Sequence, residues 1–186
     1  MIHDLELLDR LSAFPPIAFD DEVFRATRRS LDALTASTSG GRWAPKNRVA
    51  ALYTSCKRAG ALAELVFQWS QYTPLPTKPA AVHRIRLTTK KTLRFLRTDL
   101  TELGVNWDLY SEAGYTRTQE IGAAVAFLEC DGLIAPSARW DCENLVLFTD
   151  NHGVANDLEV LATEEVDWIA WARENKLLPV SDQPVR

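Results

Sequence analysis

The sequence is short of the residues that mark most catalytic chemistries. Its three cysteines, Cys56, Cys130 and Cys142, are scattered and odd in number. They give no disulfide framework and are expected as free thiols in a reducing compartment. The three histidines, His3, His83 and His152, stand isolated. Zinc sites need clustered cysteine and histidine, so no metal is expected, and triad chemistry on these histidines is disfavoured. GxGxxG, P-loop, HExxH, GxSxG and CxxC patterns are all missing. No apolar run is long enough to span a bilayer, so no membrane partner is expected. The N-terminus, MIHDLELLDRL, is acidic and lacks a cleavage site, which points to a cytoplasmic protein. Basic excess is missing too. A net charge of -4 argues against a dedicated nucleic-acid binder.

What remains is ordinary globular material, with 46% hydrophobic and 25% charged residues. A length of 186 residues suits one domain with a small extension. Leu5, Leu8 and Leu11 suggest one face of a helix over 3–12, ended by Pro15-Pro16. Strands are expected at 23–26, 49–54, 81–87, 92–96, 133–135, 144–148 and 158–161. Ser55 is a candidate cap for a helix over 57–71, with Leu62, Leu65, Val66 and Trp69 facing the core. A helical turn ended by glycine is expected at 99–104, then a loop over 105–114 pinned by its aromatics. Thr116 and Gln119 suggest a capping box opening a helix to about 128. Thr163 is a candidate cap for a last helix reaching 176, before a loose tail after Pro179. Trp168 and Trp171 on that helix fit an interface or a core equally well. Strands and helices mix without a βαβ rhythm, so the fold class is α+β.

One stretch concentrates the remaining chemistry. GGRWAPKNRVAALYTSCKRAGALAE runs from Gly40 to Glu64 and places Arg42, Tyr53 and Glu64 at even spacing. The glycine pair allows close backbone approach or positive φ, and the arginine beside it can grip phosphate. Between Ala59 and Trp69 the only polar residues are Glu64 and Gln68, so Glu64 sits on a helix apolar nearly all round. A carboxylate there needs a partner or a job. Taken singly, Arg42 could be a loop arginine, Tyr53 a core residue and Ser137 a turn residue. Together with Glu64 they describe a site for a phosphate-bearing, aromatic ligand. The basic run Arg84, Arg86, Lys90, Lys91, Arg94 and Arg97 fits a solvated strand edge better than a nucleic-acid or protein surface.

GGRW at 40–43, ALYTS at 51–55, ALAE at 61–64, TQEIG at 118–122 and GLIAPSAR…NLVLF at 132–148 resemble the RES domain. The motifs follow the family's order over Val23 to Phe148. The chain departs from the family pattern at Ala44-Pro45, Glu129-Cys130 and Trp140-Asp141-Cys142. The resemblance implies a single domain like the ADP-ribosyltransferase fold, with mixed sheets and flanking helices. It implies a helical extension over 1–22, a catalytic domain over 23–162, and a C-terminal helix and tail over 163–186. It implies a bacterial toxin that consumes NAD+ as substrate, by glycohydrolysis or phosphorolysis, or that uses it to ADP-ribosylate a protein. An Xre-type antitoxin is the implied partner, and a homodimer is compatible with the sequence. A non-catalytic interaction module is the contrary reading. Carried over by position, the catalytic residues are Arg42, Tyr53, Glu64 and Ser137. Substrate contacts fall to Arg25, Arg42, Tyr53, Ser137 and Asn144. On this reading Arg42 and Arg25 hold the pyrophosphate, Tyr53 stacks on nicotinamide, and Glu64 stabilises developing positive charge. Ser137 positions nicotinamide or ribose.

Overall fold

The computed structural model describes residues 4–153 and 156–179. His3 and the expected loose tail lie outside them. Among the described residues, six strands fall into two antiparallel groups. The first comprises β1 (Ile17–Arg28), β3 (Ala80–Arg94) and β6 (Leu158–Val166), with β3 in the middle. The second comprises β2 (Ala51–Ser55), β5 (Glu143–Phe148) and β4 (Gly132–Pro136), with β5 in the middle. A parallel pairing of β3 with β4 and one pair between β1 and β2, Phe24 opposite Ser55, join the groups. The strands therefore close into a ring, β1-β2-β5-β4-β3-β1, with β6 added outside it.

Alternation along each strand then sorts the side chains. Val23, Leu52, Ile85, Leu87, Ile134, Leu145 and Leu147 form one apolar cluster drawn from all five ring strands. The opposite faces of β2, β4 and β5, with Ala51, Leu133, Ala135, Val146 and Phe148, join a second cluster. That cluster includes α1 (Leu5–Ser12) and α4 (Thr116–Phe127). A third cluster lies between α2 (Arg58–Trp69) and α5 (Trp168–Glu174), around Leu65, Val66, Ala80 and Trp168. The α+β expectation holds, with helices flanking mixed sheets.

Several elements differ from their sequence patterns. Leu7 and Leu11, not Leu5, carry the buried face of α1; Leu5 is 76% exposed. β1 starts six residues before the expected Val23, despite Asp20, Asp21 and Glu22, which have weak strand preference. Its acids are matched across the sheet: Asp20 bonds Arg86 and Glu22 bonds Arg84 at 3.2 Å. Those same pairs absorb much of the basic run. Arg94 makes a two-point pair with Glu143, and Arg97 lies over the Trp107 ring. β3 is also no edge, because β1 and β6 flank it.

The two strands expected at 81–87 and 92–96 are one, since the buried Asp131 carboxylate accepts from the backbone of Lys90 and Lys91. α3 (Arg97–Glu102) occupies the expected helical turn and is followed by Gly104 at φ +86°. β1 runs across position 22 and β6 across position 162, so neither division falls between elements. Asp167, not Thr163, caps the last helix by accepting from Ile169 and Ala170. Thr163 instead bonds the ring of buried His83.

Candidate active site

The site begins with a close-packed turn. Gly40 takes φ +91°, a conformation side chains disfavour, and Gly41 N–H donates to Ala44 C=O at 2.9 Å. A Cβ on Gly41 would come within 2.6 Å of the Tyr53 hydroxyl. That hydroxyl accepts from Trp43 N–H at 3.2 Å, and burial holds the Tyr53 pKa well above its ordinary value. Tyr53 is therefore a brace under the turn.

α4 supports the turn from the other side. Gln119 donates through Nε2 to Gly41 C=O at 2.9 Å. It is not half of a capping box: Tyr115 is the N-cap, without a side-chain cap bond. Gly122 faces the Trp43 carbonyl so closely that any Cβ would overlap it. These contacts account for TQEIG and GGRW as one packed unit. Gly122→Ala is expected to cost about 1–3 kcal/mol, because the obstacle is backbone and cannot swing away. Urea unfolding checks it, and an unmoved midpoint would refute the contact.

The turn projects Arg42 between two rings. Its guanidinium carbon lies 4.5 Å from the Tyr110 centroid and 4.6 Å from that of Tyr115. The aromatics of the 105–114 loop do pin it: Trp107 stacks on Tyr110 at 4.3 Å, and Tyr110 donates to Pro136 C=O at 2.7 Å. Burial raises the Tyr110 pKa, Arg42 opposes that shift, and Glu64 adds to it.

Glu64 lies on α2, whose surrounding residues Gly60, Ala61, Leu62, Ala63, Leu65 and Val66 are all buried. α2 comes close to the sheet at Gly60, where a Cβ would strike Ser55 Oγ and Cys142 Sγ. Ser55 ends β2 and does not cap α2; Lys57 is the N-cap. Glu64 Oε1 accepts from Ser137 Oγ at 2.9 Å and from Asn144 Nδ2 at 2.8 Å. Ser137 Oγ accepts in turn from the backbone of Arg139 and Trp140. Asn144 sits on central β5, opposite Ser55 and Ala135. Among the described residues no cation forms an ion pair with Glu64.

The structure thus joins Glu64, Ser137 and Asn144 by hydrogen bonds and places Arg42 in the same electrostatic neighbourhood. Arg25 is used otherwise. Its Nη1 donates to the carbonyls of Ala33 at 2.8 Å and Thr35 at 2.9 Å, so it anchors the loop leading to the glycine pair. Burial lowers its pKa and Asp32 partly offsets that. Tyr110, Tyr115, Gln119 and Arg139 were not legible as site residues. Gln119 and Arg139 did stand within motifs of the family resemblance, TQEIG and GLIAPSAR. Among the described residues no group of three metal-ligating side chains occurs, and no helix is long and apolar enough to cross a membrane.

Fold and site define a small α+β protein whose ring of strands and one apolar helix hold a carboxylate beside an aromatic-mounted arginine. The RES domain family model matches residues 21–169, and the chain belongs to that family. A chain of the M. tuberculosis MbcT–MbcA toxin–antitoxin complex has the same fold, with a TM-score of 0.79 and 19% identity. The match covers 91% of this chain and 97% of that one. No curated protein sequence matches.

Proposed function

We propose that this protein consumes NAD+ by cleaving its nicotinamide–ribose bond, as a glycohydrolase or phosphorylase. The observation that carries the reading is Glu64: a carboxylate fixed through one oxygen by Ser137 and Asn144, with no cation paired to it among the described residues. In the reaction the bond from ribosyl C1′ to the pyridinium nitrogen breaks. Its electron pair leaves with nicotinamide, and positive charge develops on the ribosyl ring, as in glycoside hydrolysis. A preorganised negative charge beside that ring lowers the barrier. Water or phosphate then supplies the electron pair for the new bond to C1′.

In this scheme Arg42 grips the diphosphate through charge-assisted bonds. Ser137 and Asn144 hold the carboxylate in place. Tyr53 acts as a positioning residue, because its hydroxyl is committed to the backbone that carries Arg42. We assign the protein a toxin role in the cytoplasm, held in check by an antitoxin of Xre type. Membership of the RES family and the fold shared with a chain of the MbcT–MbcA complex support that assignment. Transfer of ADP-ribose to a protein is the alternative outcome of the same chemistry.

Incubation of antitoxin-free protein with labelled NAD+ tests the reading. Release of nicotinamide with all remaining label in small molecules is expected. Label retained on a protein band would establish transfer instead. No turnover, together with no rise in melting temperature on adding NAD+, would sink the enzyme reading in favour of an interaction module.

A further inference from the structure

We propose that Arg139 is the second phosphate-gripping arginine, forming with Arg42 a two-sided clamp for the diphosphate of a nucleoside diphosphate ligand. The inference deepens the NAD+ reading and rests on it for the reaction, though not for the ligand class.

Arg139 follows β4 in the corner that Ser137 organises; its own backbone N–H donates to Ser137 Oγ at 3.1 Å. Its guanidinium carbon stands 3.3 Å from the ring centroid of Phe67, which lies one helical turn beyond Glu64 on α2. Arg42 is mounted in the same manner on Tyr110 and Tyr115. Stacking fixes the plane of a guanidinium while leaving its N–H edge free to bond.

Part of that edge is unused on both arginines, although Arg42 Nη2 reaches Glu112 C=O at 3.5 Å. Arg139 Nε, Arg139 Nη2 and Arg42 Nη1 are buried without a hydrogen-bond partner, and Asn144 Oδ1 is the one other such side-chain atom among the described residues. Buried donors are rarely left unpaired in folded proteins, because each costs its desolvation. Four such atoms, on two arginines and on Asn144 that holds Glu64, call for a ligand. It must offer several anionic acceptors for the arginines and one donor for Asn144. A diphosphate flanked by ribose hydroxyls meets both demands.

The charges agree. Burial and the nearby Arg42 charge push the Arg139 pKa down, while Glu64 pulls it up. Two guanidiniums against one carboxylate leave surplus positive charge in a partly buried site. Arg25, whose Nη1 is tied to loop carbonyls, does not share this arrangement. The Ser137 bonds also link Arg139 to Glu64, so a clamped diphosphate would stand in fixed register with the carboxylate.

Calorimetric titration with ADP-ribose tests the clamp on full-length protein, with Arg139→Gln, Arg139→Lys and exposed Arg48→Gln. Arg139→Gln is expected to weaken binding roughly 10–100-fold, the range of a charge-assisted fork. Arg139→Lys keeps the charge without the fork and is expected to fall between wild type and Arg139→Gln. Its Kd carries the test should Arg139→Gln not fold. Arg48→Gln should bind as wild type does. Unchanged affinity in Arg139→Gln would overturn the clamp. So would an equal loss in Arg48→Gln, or no binding by wild type. Parallel NAD+ turnover separates the two proposals. Binding that depends on Arg139 without turnover sinks the reaction alone, and turnover with an unaltered KM in Arg139→Gln sinks the clamp alone.

Discussion

Glu64→Gln is expected to lower kcat for NAD+ cleavage by about 10²–10³, equivalent to about 3–4 kcal/mol of lost electrostatic stabilisation. Glutamine keeps the size of the side chain and an oxygen that can accept from Ser137 and Asn144. What it removes is the charge. The melting temperature should therefore stay near that of wild type while turnover collapses. KM should change far less than kcat, since the charge matters when the ribosyl ring becomes cationic rather than when substrate binds. Nicotinamide release under saturating NAD+ measures the effect. Turnover within about twofold of wild type would show that the Glu64 charge has no part in the chemistry.

Trp168→Ala is expected to destabilise the fold by about 3–5 kcal/mol, the cost of emptying a large, fully enclosed aromatic site. Trp168 is 1% exposed and meets Trp69 edge-on at 5.3 Å, with the planes at 86°. Its indole donates to Pro76 C=O at 3.0 Å, so truncation also strips a half-buried carbonyl of its partner. Leu65 and Val66 share this cluster, and both flank Glu64 on α2. Loss of the indole therefore loosens the helix that carries the carboxylate. Trp168→Phe, which retains the ring contact but not the donor, should lose much less. Denaturant midpoints compare the three proteins. A shift below about 1 kcal/mol for the alanine variant would mean that the site collapses onto the gap. Of the two readings open for this tryptophan, the structure chooses core. Trp171 packs against Trp140, beside Arg139.

Glu64 shows why part of the site was legible in sequence. A lone carboxylate among alanines and leucines violates the burial pattern of its helix, and such violations are local in sequence. The same holds for the glycine pair before Arg42. Arg139 and Tyr110 carry no local violation. An arginine in a polar corner and a tyrosine in a loop are ordinary, and what distinguishes them is the ring or guanidinium opposite. Gln119 misled for the related reason that its spacing from Thr116 matched a capping box. Its side chain found Gly41 C=O on another element instead.

β1 was underestimated because its acids argue against a strand until Arg84 and Arg86 are seen across from them. Propensity is a property of one segment, and pairing is a property of two. By itself, then, the sequence determined the α+β class, most elements near their true places, and Glu64 with Arg42 as the residues to explain. Only the tertiary structure decided that the strands close into a ring and that Ser137 and Asn144 converge on one oxygen of Glu64. It alone decided that Arg25 serves a loop while Arg139 stacks on Phe67 with two buried nitrogens unpaired. The physical reason is range: burial patterns and backbone conformations are written in neighbouring residues. Hydrogen bonds such as Ser137 to Glu64 span 73 positions and exist only once the chain has folded.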